Sequence, residues 1–383
     1  MARLSSQTLW TGAATSQANP QSSAPLPAPV ETGKVLTSWD GLKNTLQPER
    51  LDDKDLVRAR NITLDDSGQP SRRRGYTLKL PGNVHSLFTS YQGVVLGVVN
   101  SELSIINPDY SYDPLAFIGT DPASGMAPLA YSQVGDQVYY VGTVDRGVVN
   151  ISERTWGPWG DPTDLWLSPV VNPTETLPPV AGRLLKQPPN ATCMTYFNGR
   201  LYLGQGPTLW ATELYLYNFV DATAGYKLFE AGITMIGTVS DGIYVGTKEG
   251  LWFLTGPTFA EMKRTRVMDS GVIPGSMVDI PSELGNPPQV PITATTPVDV
   301  AIMFMTTKGV CIASASGRVL NITEPKYIFP ESMSAAALYR RQDGVNQYIA
   351  SLQSGGSPTQ TAAIGDYLDV KIIRGSGFPN DKA

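Results

Sequence analysis

Six times between residues 86 and 352 a run rich in β-branched and aromatic residues meets a short turn, and a second such run follows. The pairs are Ser86–Tyr91 with Val94–Val99 about Gln92-Gly93, Leu129–Val134 with Val138–Gly142 about Gly135-Asp136, and Cys193–Phe197 with Leu201–Gly204 about Asn198-Gly199. Thr234–Val239 pairs with Ile243–Gly246 about Asp241-Gly242, Ala301–Thr306 with Val310–Ala313 about Lys308-Gly309, and Ala335–Arg340 with Gln347–Leu352 about Asp343-Gly344. Asn-Gly and Asp-Gly supply the positive φ that tight hairpin turns require. A chain written this way is committed to antiparallel sheets.

In several units a third strand-like run follows: Glu102–Ile106, Gly147–Ile151, Thr208–Tyr215, Gly250–Leu254 and Arg318–Ile322. The turn anchors at 93, 136, 199, 242, 309 and 344 are 35 to 67 residues apart. Propeller blades repeat at roughly 40 to 50 residues, with longer intervals marking inserted loops. The expected fold is therefore all-β and β-propeller-like, with about five to seven blades. A sandwich need not repeat its strand–turn–strand order. Ser332–Arg341 also fits a short helix, the one local competitor. Composition agrees: only 16% of residues are charged, while Gly (37) and Pro (31) are numerous, which suits short strands and turns.

The flanks read differently. Residues 1–37 form an extended arm dominated by Ala, Ser, Gln, Thr and Pro, with Trp10 its largest apolar side chain. Such a segment buries too little apolar surface to offset its own ordering entropy, so it is expected to lie along a neighbouring subunit rather than its own domain. Residues 38–82 form an N-terminal hairpin segment, 83–353 the propeller-like domain, and 354–383 a linker followed by one strand, Tyr367–Ile373. The proline-rich stretches Ser168–Pro189 and Ile273–Pro297 read as long loops.

Several chemistries are excluded or weakened. The single histidine, His85, rules out two-His metal sites and weakens Ser-His and Cys-His nucleophile schemes; a packed or surface residue is the plainer reading. No phosphate loop and no nucleophile elbow is present. Asp52, Asp53, Asp55, Asp65 and Asp66 lack the alternating spacing of a calcium loop and read as solvated turn carboxylates. No cofactor motif is found, and the chain is not expected to be an enzyme. Cys193 and Cys311 lie in strand-like runs and read as buried reduced thiols, with a disulfide as the alternative. The net charge of −5 argues against wrapping DNA or sitting on an anionic membrane. The opening residues lack the apolar core of a signal peptide, and no apolar run is long enough to span a bilayer.

The most distinctive stretch is Trp39–Leu80. It contains Trp39-Asp40-Gly41-Leu42-Lys43-Asn44, then Ala59-Arg60-Asn61-Ile62-Thr63-Leu64-Asp65-Asp66-Ser67-Gly68, then Arg72-Arg73-Arg74-Gly75-Tyr76. Read physically, it is a strand (Ala59–Leu64), a polar turn (Asp65–Gly68) and a returning strand (Tyr76–Leu80). This pattern resembles the N-terminal signature of tail structural proteins of short-tailed bacteriophages: the tail nozzle (tail tube B) and packaged-DNA-stabilisation proteins. The resemblance covers residues 38–80. It implies a homo-oligomeric, hexameric ring below the portal and adaptor, contacts with tail fibre or spike proteins, and viral DNA passing without sequence-specific contact. It also implies residence in the virion after synthesis in the host cytoplasm. Candidate interaction residues are Trp10, Arg72, Arg73, Arg74, Trp156 and Trp159. The arginine triplet suits intersubunit or intramolecular pairing, with DNA phosphate as the lesser reading. Trp156 and Trp159, with Trp166 nearby, suit burial against the propeller or a partner. Their lesser reading is stacking on sugar, which carries the alternative function, a glycan-binding or carbohydrate-active propeller (a fibre adaptor or sialidase-like enzyme). The repeated aspartate boxes of sialidases are absent from the sequence.

Overall fold

The computed structural model describes residues 38–56, 62–64, 69–72, 77–119, 128–160, 164–167, 182–281, 300–324, 326–329, 332–342, 345–353 and 370–372. All of them belong to the unit Thr37–Ala383; the arm, with Trp10, lies outside the described residues.

Each hairpin expected from the sequence forms, and the strands that follow extend it into a meander. The first sheet runs Val84–Thr89, Val95–Val99, Glu102–Ile106 and Tyr112–Phe117, in that order. The second runs Ala130–Val134, Gln137–Val141, Arg146–Asn150 and Thr155–Pro158. The fourth runs Ile233–Val239, Gly242–Thr247, Leu251–Thr255 and Lys263–Met268, and the fifth Val278–Pro281, Val300–Thr306, Gly309–Ser314 and Arg318–Asn321. The sixth comprises Ser334–Gln342, Val345–Gln353 and Val370–Ile372. Among the described residues there is no α-helix; two three-residue 3-10 turns are the only helical pieces.

The third sheet is the exception. Cys193–Phe197, Arg200–Gln205 and Thr208–Glu213 form its meander, and Tyr226–Leu228 pairs with the first half of Thr208–Glu213. The second half diverges at a bulge and pairs with Leu216–Asp221 instead, which carries Arg183–Lys186 and Leu165–Leu167 beyond it. One strand thus serves two sheets.

The sheets stack in sequence order, and strand periodicity shows how. Successive side chains point to opposite faces, so a strand buried on both faces is apolar throughout. Val138 and Tyr140 pack with Leu96, Val98, Leu103 and Ile105 of the first sheet. The intervening Tyr139 and Val141 pack with Leu201 and Leu203 of the third. Tyr202 and Leu209 then face Ile243, Val245 and Leu254 of the fourth sheet, whose Tyr244 and Phe253 face Ile302, Phe304 and Cys311 of the fifth. Met303 and Met305 meet Tyr348, Ala350 and Leu352 of the sixth. Five core clusters fill five gaps between six sheets, which is the construction of a β-propeller. Each buried Leu, Val or Phe contributes roughly 1.5–3 kcal/mol.

Three expectations are corrected, the returning strand of the signature segment and the two stretches read as loops. The strand returning to Ile62–Leu64 is Pro70–Arg72, not Tyr76–Leu80; pairing resumes directly after the turn, and the apolar character of Tyr76–Leu80 did not decide it. Thr77–Lys79 carries no strand, and Leu78 is exposed. The expected strand Ala335–Arg340 forms within Ser334–Gln342, held by nine registered pairs with Val345–Gln353, so the short helix that Ser332–Arg341 also fits is not the outcome. The stretches Ser168–Pro189 and Ile273–Pro297 are not wholly loop: each holds a strand, Arg183–Lys186 and Val278–Pro281. The C-terminal strand is present as Val370–Ile372, paired to Val345–Gln353.

Candidate functional site

The first part of the signature segment, residues 38–56, is docked rather than free. Gly41–Leu42 lies parallel to Asp55–Leu56, a path that needs the positive φ of Gly41 (105°). Asp40 N–H donates to Lys54 O at 2.8 Å and Lys43 N–H to Leu56 O at 3.0 Å. Lys43 Nζ sits 3.1 Å from Asp55 Oδ2, so one carboxylate of the aspartate cluster is held by an ammonium. Asn44 then reaches across the chain. Its N–H donates to Lys326 O at 3.0 Å, its Nδ2 to Ile328 O at 2.9 Å, and its Oδ1 accepts from Ile328 N–H at 2.7 Å. The side-chain amide imitates a peptide group and forms a two-bond bridge. It clamps the segment onto the connection between the fifth and sixth sheets.

The sequence-derived interaction residues have separate fates. Arg72 is exposed at the end of the strand Pro70–Arg72; Arg73 and Arg74 lie outside the described residues. Trp159 is 2% exposed, its ring 5.2 Å from Tyr139 and its Nε1–H donating to Tyr217 O at 3.0 Å. It is an internal anchor between the second and third sheets. Trp156 is half-exposed, and its indole N–H donates to the Tyr140 hydroxyl. The structure does not bring Arg72 together with either tryptophan through any hydrogen bond or ring contact. His85 contacts Ser86 Oγ at 2.8 Å through Nδ1, and burial lowers its pKa. Cys193 and Cys311 are free thiols, both pushed up to about 12 by burial, far from thiolate reactivity. Among the described residues no group of three or more His, Cys, Asp or Glu could hold a metal ion, and no helix is long and apolar enough to cross a membrane.

A feature the sequence reading missed lies at the outer edges of the third and fourth sheets. A shallow groove of about 390 Å³ is lined by Tyr226, Lys227, Leu228, Met262 and Arg264. Arg264 stacks its guanidinium over Phe229 (5.3 Å) and Trp252 (5.4 Å), and Arg266 lies 5.5 Å over Trp252. Lys227 Nζ is 5.0 Å above Phe259. Arg264 also donates to Leu228 O, tying the two edges together. Such cation–aromatic stacks hold the cations in fixed positions. The signal was available in the basic run Lys263-Arg264-Thr265-Arg266, but its aromatic neighbours come from other strands. A second exposed feature is the hairpin tip Leu214-Tyr215-Leu216. Tyr215 holds a positive φ of 56° and its N–H donates to Gly199 O at 2.8 Å.

No family model matches the chain, and no curated protein sequence matches it. Among solved structures it is similar to the extracellular domain of the hybrid two-component system BT4673 of B. thetaiotaomicron, with TM-score 0.41, 8% identity, 76% of this chain and 36% of that chain covered. The N-terminal domain of Nup159 gives TM-score 0.42 and 8% identity, covering 75% and 77%. The WD40 domain of Neurospora crassa Pan2 gives TM-score 0.36 and 8% identity, covering 70% and 71%. The chain spans about a third of the length of the BT4673 domain. At these identities and scores no residue, ligand or partner carries over.

Proposed function

We propose that this chain is a non-enzymatic structural subunit of a phage tail, forming part of a nozzle or tail-tube ring through which DNA leaves the capsid. The observation that supports the reading most is the Asn44 clamp. The residues carrying the resemblance, Trp39 to Asn44, include a glycine at positive φ and an amide bridged to Ile328. A motif spent on docking a segment to a sheet stack is a structural motif, the kind a ring subunit needs where an arm leaves its body. The arm, residues 1–37, then contacts the neighbouring copy, and closed rings repeat that contact at every interface. The two thiols, both raised to about 12, and the lone half-buried histidine offer no activated nucleophile.

The test is negative-stain imaging of the purified full chain, with light scattering across concentration. Rings of uniform size are the expected result. A chain that remains monomeric at every concentration and hydrolyses a glycan, with turnover lost on changing one carboxylate to its amide, would replace this reading with the carbohydrate-active one.

A further inference from the structure

The groove at the outer edges of the third and fourth sheets contains two cations, Lys227 and Arg264. Among the described residues neither Lys227 nor Arg264 forms an ion pair, whereas neighbouring Arg266 has Asp269 at 2.6 Å. Glu261, three residues before Arg264, has its carboxylate engaged by Thr258 Oγ1 at 2.7 Å, and Glu230, three residues after Lys227, is exposed and forms no ion pair with either cation among the described residues. Lys227 donates to Ala260 O at 3.3 Å and Arg264 to Leu228 O, which leaves further N–H donors on both heads. Burial and the positive charge of Arg264 lower the pKa of Lys227, so a negative charge arriving there is favoured. Beside the cations stand Tyr226 and Leu228, exposed at 38% and 58%, and Met262.

We propose that this groove binds an extended acidic peptide segment of another protein, with carboxylates on Lys227 and Arg264 and apolar side chains on Tyr226, Leu228 and Met262. The walls favour a peptide over other anions. Tyr226–Leu228 pairs, among the described residues, only with Thr208–Glu213, and Lys263–Met268 only with Leu251–Thr255. Both are sheet edges, and an edge strand offers backbone donors and acceptors to an added extended chain. A strand repeats its side chains on one face every two residues, roughly 7 Å, which suits alternating acidic and apolar groups on this lining. Nucleic acid is disfavoured by the chain's net charge of −5. The groove is built within one chain and does not depend on ring formation.

The experiment is fluorescence anisotropy on the full chain with a labelled hexapeptide alternating glutamate and leucine. The same peptide with glutamine for glutamate, an oligogalacturonate and a short single-stranded oligonucleotide serve as competitors. Saturable binding of the glutamate peptide is expected, weakened about tenfold or more by Lys227→Gln and by Arg264→Gln, and weakened by added salt. Lys227→Gln retains the Arg264 stack, so its melting temperature should equal the parent's and separate lost binding from lost folding. Arg154→Gln, on the second sheet, should bind as the parent does. Equal binding of the glutamate and glutamine peptides, tighter binding of either competitor, or no binding at all would overturn the proposal. Each of those results leaves the ring reading standing, because a ring is scored separately by imaging.

Discussion

Asn44 and Ile328 are bridged by two hydrogen bonds at 2.9 and 2.7 Å across 284 residues. Each such bond contributes about 0.5–1.5 kcal/mol net. Asn44→Ala should therefore lower stability by about 1–3 kcal/mol, read from urea denaturation, and expose the segment 38–56 to protease before the sheets unfold. Nothing in the sequence placed Asn44 against Ile328, since a single amide carries no record of a partner so distant. The thiols were legible. Cys193 and Cys311 were expected buried and reduced; both are free, Cys311 buried and Cys193 only half-buried, with pKa pushed up to about 12 from 9.0. A raised thiol pKa leaves stability intact below the unfolded value of 9 and erodes it as pH rises toward 12, because only the unfolded chain ionises. Iodoacetamide at pH 8 should leave both thiols unlabelled in the folded chain and label both in urea, as mass spectrometry would show.

At the level of strands and sheets, the hairpins were legible because their determinants are local. A tight turn such as Asn198-Gly199, both residues at positive φ, announces itself in two letters. The fourth strands were not legible. Lys263–Met268 and Tyr226–Leu228 are edge strands with several polar or exposed positions, and a strand with no well-buried face has nothing to impose an apolar–polar alternation. Val278–Pro281 was missed for another reason: Asp279 and Pro281 disguise it inside a proline-rich stretch, yet it forms the first strand of the fifth sheet. The close spacing of sheets also has a cost in tolerance. A Cβ on Gly237 would meet Ile302 Cδ1 and Met277 Sδ, each at 2.7 Å. Gly237→Ala should destabilise by about 1–3 kcal/mol through overpacking between the fourth and fifth sheets, measured as a lowered denaturation midpoint with unchanged m-value.

For the whole molecule, fold class followed from repetition, and six stacked sheets fall within the expected range. Far-ultraviolet circular dichroism should be β-dominated; a helix content above about a third, the average for globular proteins, would contradict it. The cation-lined groove was hardly legible, because Lys227 and Arg264 come together only when the third and fourth sheets stack. The arm gives the test at this scale. The five core clusters draw on residues from Phe88 onward, so deleting residues 1–33 should leave the melting temperature nearly unchanged while ring formation fails. Full ring assembly by the truncated chain would show that the arm is not the assembly device.

The clamp also sets an order of events during synthesis. Each sheet can pack on the one before it as soon as both have left the ribosome, because every core cluster joins neighbours in the chain. The segment bearing Asn44 emerges first yet has nowhere to dock until residues 326–328 emerge. It therefore waits while five sheets are made. A nascent or truncated chain that stops short of Ile328 carries an unlatched segment, so a latched one marks a polypeptide translated past the fifth sheet.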